Sequence, residues 1–284
     1  MFGGIVEWTD TDVSFINCIN EGEWTGVSSV GGIVKVANRN TTIYNCKNKA
    51  NITGGSWTAG IVQCCNHTNY NLEINNCENT GKIIGGSSST VGIAQNVAQL
   101  NEVKIVNTKN KGDIIGGTDT AGIVSFMGSN KNVKIDNCIN TGNIEGGDCV
   151  AGIFSYMSGM ENLKISNCKN EGNIHGVYNV GGLIGVNDTQ IIINQCTNTG
   201  SVSAEKGSVG GLIGFFRGEP QGKIKQCTNT GSVSSKKGYV GGLIGERSSY
   251  VQVIMEQCTN TGSVTVEDSY GYVGELIGYP QEER

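Results

Sequence analysis

The chain has 284 residues, with 44 glycines, 2 prolines, 6% aromatic residues, 16% charged residues and a net charge of −5. Apolar residues return on a schedule, which separates it from Gly-rich disordered chains, and no basic stripe gives the electrostatic footprint of a nucleic-acid binder. No apolar run approaches the ~18 residues of a membrane-spanning helix.

Residues 1–20 hold no basic region followed by an apolar stretch, so no signal peptide is read there. The chain opens inside a repeat, at Phe2-Gly3-Gly4-Ile5-Val6, which predicts a fragment or a chain whose export signal was removed. From there one unit recurs nine times. Its marker position is filled in turn by Cys18, Cys46, Cys77, Thr108, Cys138, Cys168, Cys196, Cys227 and Cys258, at spacings of 28, 31, 31, 30, 30, 28, 31 and 31. Two residues later stands Asn20, Asn48, Asn79, Asn110, Asn140, Asn170, Asn198, Asn229 or Asn260. Two further on comes Gly, with Ala50 the one exception. Such strict periodicity is the signature of a repeat architecture.

The sixth copy shows the internal pattern. Leu163-Lys164-Ile165 alternates apolar and polar; Cys168, Asn170, Gly172 and Ile174 share one parity; Val180-Gly181-Gly182-Leu183-Ile184 is a third short run. Each reads as a strand, not a helix. Ile165 and Cys168 have opposite parity, so the chain must turn a corner near Asn167 for both to point inward. One repeat cannot bury its own apolar face, and stacking does it. The expectation is therefore all-β: a single parallel β-helix (β-solenoid) domain over 1–284, about nine coils of ~30 residues with three short strands per coil, right-handed as parallel crossovers are. At ~4.8 Å per coil it would be a rod of roughly 40–45 Å. The register of Ile43, Ile74, Ile105, Ile135, Ile165, Ile193 and Ile224 should be an inward column, and the Asn position an amide ladder. The last copies, such as Val209-Gly210-Gly211-Leu212-Ile213-Gly214, are more alike than the first five, and in copies two to five Ala or Val replaces the first Gly.

Gly181-Gly182-Leu183-Ile184-Gly185, followed by Ile193 and Cys196-Thr197-Asn198-Thr199-Gly200-Ser201-Val202, resembles the GLUG-motif repeat of bacterial and protist surface proteins. The resemblance covers essentially the whole chain and is clearest over about 180–278. It implies an extracellular or cell-surface location and an adhesin-like repeat region. It brings no catalytic residues, because that family is defined by its repeat.

The candidate chemistry is sparse. Eight cysteines on one ladder position, with Thr108 in the same slot, read as a buried, reduced stack. Cys64, Cys65 and Cys149 lie off it, and no C-x-x-C occurs, so neither a zinc site nor any cofactor is expected. No carboxylate recurs at one register: Asp119 and Asp148 fall one position apart in successive copies. Glu145 and His175 do share a register, the one pair suited to acid–base work. Thr197/Thr199, Thr228/Thr230 and Thr259/Thr261 form outward T-x-T pairs like those of ice-binding solenoids, over three copies only. Four N-x-S/T sequons begin at Asn40, Asn51, Asn66 and Asn187 and, in so Asn-rich a chain, point to nothing in particular. Lys104, Lys134 and Lys164 occupy one outward register in successive coils. They are the candidate ligand-binding residues, for an acidic glycan or an acidic protein surface. The expected function is a non-catalytic, surface-displayed or secreted binding or spacer module, followed by a polysaccharide-cleaving enzyme and then an ice binder.

Overall fold

A computed structural model describes all residues except Met1, Val27, Glu219, Pro220 and 280–284. Among the described residues every regular element is a strand, and all strands pair in parallel to form a β-solenoid of about nine turns. Among the described residues no helix is long and apolar enough to cross a membrane.

Each coil contains five strands, where the sequence pattern predicts three. In one coil they are Asn132–Asp136, Ile139–Asn140, Ile144–Glu145, Asp148–Ala151 and Phe154–Ser158, here called sheets 1 to 5 after the stacks they join. Two of the expected strands are each broken by glycine. A Cβ on Gly142 would lie 2.0 Å from the carbonyl oxygen of Gly112, so the run from Cys138 to Ile144 bends there and divides between sheets 2 and 3. The Gly-Gly run divides in the same way between sheets 4 and 5, because its second glycine packs directly against the Asn side chain of sheet 2.

The expected corner is present in all nine copies. Asn17, Asn45, Asn76, Asn107, Asn137, Asn167, Gln195, Gln226 and Gln257 all have φ of 50–56°. This left-handed conformation costs Asn less than most side chains, and it reverses parity between sheets 1 and 2. Ile43, Ile74, Ile105, Ile135, Ile165, Ile193 and Ile224 consequently form one inward column, each paired with the next and each buried. Six ladder cysteines, from Cys46 to Cys227, are buried beside it; Cys18 and Cys258, at the two ends, are half-buried. Thr108 fits the same slot because its hydroxyl donates to the Val106 carbonyl, 2.9 Å away.

The Asn ladder is continuous. Eight side-chain bonds of 2.7–2.8 Å link Asn20 to Asn260, each Nδ2 donating to the Oδ1 of the following copy. The second N–H of each interior amide donates to the carbonyl two residues on, as Asn140 does to Gly142 at 2.9 Å. That carbonyl accepts only a donor, so it fixes which end of each amide is nitrogen. At the first rung, Asn20 Oδ1 receives the indole N–H of Trp24 at 3.0 Å. These buried amides are thus satisfied rather than costly.

All eleven cysteines are free thiols. Hydrogen bonding between neighbouring thiols, then burial, raises Cys196 and Cys227 well above the ordinary thiol range, which suppresses the reactive thiolate. All six ladder cysteines from Cys46 to Cys227 are closed off from solvent, so a small thiol reagent should leave Cys46, Cys77, Cys138, Cys168, Cys196 and Cys227 unmodified until denaturant is added. Mass spectrometry showing complete labelling of the native protein within minutes would contradict the buried stack.

Candidate functional site: an axial cleft

The Asn ladder explains an indentation of the rod. The second glycine of each Gly-Gly or Ala-Gly pair packs directly on the ladder. A Cβ on Gly122 would sit 2.5 Å from Asn140 Oδ1 and 2.3 Å from the Gly152 carbonyl oxygen, and one on Gly152 would meet Asn170 and Gly182 in the same way. The wall between sheets 4 and 5 therefore sinks inward until it touches sheet 2. This pinch divides the core into two lobes, one holding the Ile column and ladder cysteines, the other Ile52, Ile83, Ile114, Ile144, Val150 and Val180.

Seen from outside, the pinch is a cleft parallel to the rod axis. Its floor is the second residue of each sheet-5 run: Lys35, Gln63, Gln95, Ser125, Ser155, then Gly185. A Cβ on Gly185 would lie 3.0 Å from the backbone of both Cys149 and Val150, so the outer faces of sheets 4 and 5 converge there. The pairing register skips this position and resumes at the next residue, as it does at a β-bulge. Two consecutive residues then face outward. The second of them, Val36, Cys64, Asn96, Phe126 or Tyr156, forms the sheet-5 wall. Trp57, Ser89, Asp119 and Cys149 form the opposing sheet-4 wall.

The cleft is bridged in its C-terminal half. Ser208 donates to Glu246 across it, and Tyr239 and Tyr279 stack from opposite walls with ring centroids 4.6 Å apart. Nearer the middle, Arg217 donates to both Asp188 Oδ2 and the Tyr156 hydroxyl at 2.9 Å, and Tyr156 stacks on Phe126 at 5.8 Å. Between Trp57 and Phe126 it stays open, with a volume of 510 Å³. Lys35 there is buried and 3.5 Å from Glu7, so its charge is already answered. Gln63 donates to Gln95 at 2.8 Å.

Comparison with family profiles, curated proteins and solved structures returns no match.

The expected lysine column is in register, Lys104 pairing with Lys134 and Lys134 with Lys164. Two of the three are ion-paired to carboxylates of their own strands, Lys104 to Glu102 at 2.9 Å and Lys134 to Asp136 at 3.4 Å. Lys164 has no ion pair among the described residues. Glu145 and His175 are register partners, but His175 turns to the next coil, with Nδ1 3.0 Å from Ser203 Oγ and Nε2 3.8 Å from Glu205. Among the described residues no group of three or more His, Cys, Asp or Glu side chains is placed to hold a metal ion. The sequon at Asn187 is buried, and its amide donates to the Thr189 carbonyl, which closes it to modification in the folded rod.

Asp119 and Asp148, one position apart in sequence register, meet in the cleft wall. Burial first, then the charge of Asp148, raises Asp119 from 3.8 to about 6, against a hydrogen bond with Cys149 that lowers it. The folded state holds this proton more tightly than the unfolded chain. Its stabilising contribution is complete below pH 3.8 and is lost as pH rises through about 6. Asp119→Asn should therefore be more stable than the parent at pH 7.5, by about 2 kcal/mol after allowing for partial exposure, and equal to it at pH 3.5. The backbone at Asp119, φ 52°, suits Asn equally well. Urea denaturation of both proteins across this range measures the difference; a constant offset at every pH would contradict the assignment.

Proposed function

We propose that the chain is a non-catalytic binding module that holds an extended partner lying along the open part of the axial cleft, displayed outside the cell or at its surface. The cleft carries this reading. It is built by the repeat itself, so successive coils offer equivalent positions at a regular ~4.8 Å step, and a polymer with its own repeat can meet them in series. The resemblance to GLUG-motif surface repeats supports the display. A bound polymer should protect Trp57 and Phe126 from hydroxyl-radical oxidation while leaving Tyr44, on the outer face of sheet 1, unchanged. Protection confined to sheet 1, or cleavage of the polymer, would replace this reading.

The continuous lysine register favours a second reading, in which an acidic glycan or protein strand lies across sheet 1. Intrastrand carboxylates offset two of the three charges, so any such contact should be salt-sensitive. Changing Lys104, Lys134 and Lys164 together to Gln should abolish it and leave cleft binding intact.

A further inference from the structure

We infer that the open segment of the cleft between Trp57 and Phe126 is a subsite for an uncharged polysaccharide. This rests on the cleft being the binding surface and adds the chemical class of what it holds. The walls combine the two features a pyranose ring requires. Trp57 is 51% exposed at the rim, so its indole face is available to the C–H face of a sugar, a contact that apolar aromatic surface favours. Opposite it, amides supply both donors and acceptors for hydroxyl groups. Asn96 lines this segment, and its Oδ1 is buried without a hydrogen-bond partner among the described residues. An acceptor left in that state is costly; among the described residues the Asn96 Nδ2 is held only by the Cys64 sulfur at 3.9 Å, so the amide can turn its Oδ1 toward the cleft, where a sugar hydroxyl donating to it removes the cost.

The charges point to a neutral chain. Lys35, the cationic group of the floor, is paired with Glu7. Asp119 stands in the wall beside Asp148, so a uronic acid or sulfated sugar would bring a further negative charge against them. Trp57 and Phe126 lie two coils apart, ~10 Å along the axis, which is about the length of a disaccharide.

The test uses the full chain and three soluble probes: a neutral polysaccharide set (β-glucan, xylan and mannan), polygalacturonate, and an unrelated peptide library. Titration should show binding to at least one neutral chain, with quenching of tryptophan fluorescence and no loss of affinity in high salt. Trp57→Ala should weaken it roughly tenfold or more and Asn96→Ala roughly fivefold. Trp57 is exposed, so unchanged thermal unfolding of the variant separates lost binding from lost fold. The class is wrong if only polygalacturonate or a peptide binds and Asn96→Trp, which fills the cleft, abolishes that binding; the cleft reading then survives. If binding of any probe is indifferent to Asn96→Trp, or if no probe binds at millimolar concentration, both are overturned.

Discussion

Replacing Ile135 with Asp should unfold the central coils of the rod. Ile135 is fully buried and sits between Ile105 and Ile165 in the inward column. A carboxylate there has no cation within the lobe and no route to water, so it must either stay charged in an apolar stack or take up a proton at a large cost. The loss should be at least on the order of 5 kcal/mol, the upper range for core truncation plus the buried polar group. Each coil is stabilised chiefly by its neighbours. The defect should therefore open several coils on either side rather than the whole chain at once. Hydrogen exchange should show fast amides clustered around residues 100–170 and slower ones in the coils nearest the two ends. Ile135→Val, which keeps the shape, should cost only about 1 kcal/mol. A fully protected rod in the Ile135→Asp variant would refute the inward register.

Gly152→Ala should be nearly as damaging although it adds a single methyl. That methyl would lie 2.4 Å from the Gly182 carbonyl oxygen, which accepts the Gly152 N–H at 3.2 Å, and 2.5 Å from Asn170 Oδ1, which is held in the ladder. Neither can retreat without breaking an inter-coil hydrogen bond, so the coil spacing itself must open. A cost of about 3 kcal/mol or more is expected, together with a change in reactivity at Cys149, whose backbone forms the neighbouring cleft wall. One residue earlier, Ala151 is tolerated and buried, and Ala151→Gly should cost no more than about 1 kcal/mol. The two neighbouring substitutions thus have sharply different expected costs, and thermal denaturation of the pair checks both. A small effect of Gly152→Ala would mean that sheets 4 and 5 can move away from the ladder, and that the cleft is not a fixed feature.

The stack was legible in the sequence because its determinants are periodic. The column at Ile135, the amides at Asn140 and the corner at Asn137 each follow from parity and spacing alone. The five-strand coil was not, because a single parity from Cys138 to Ile144 also fits one straight strand. Only the close approach of Gly142 to the coil before it breaks the run. The cleft was hidden for a related reason. Parity places a side chain inside or outside one sheet but says nothing about the angle between two sheets. Its sequence trace is the pair of consecutive outward residues in sheet 5, such as Ser125 and Phe126, a lapse from alternation that marks a bulge. Likewise Glu145 and His175 are partners by register, yet side-chain reach carried His175 to Ser203 and Glu205 instead.

The amide column running from Asn20 to Asn260 has a direction. Every rung donates the same way, so the carboxamide dipoles add head to tail, much as peptide dipoles do in a helix, and mutual polarisation strengthens the series. The two extremities of the rod are therefore chemically unlike. An acceptor oxygen faces one of them, covered by the Trp24 indole, and amide hydrogens face the other. Any polymer lying in the cleft meets a scaffold with a built-in vector, so its own two orientations, reducing end forward or reversed, are not equivalent to this protein.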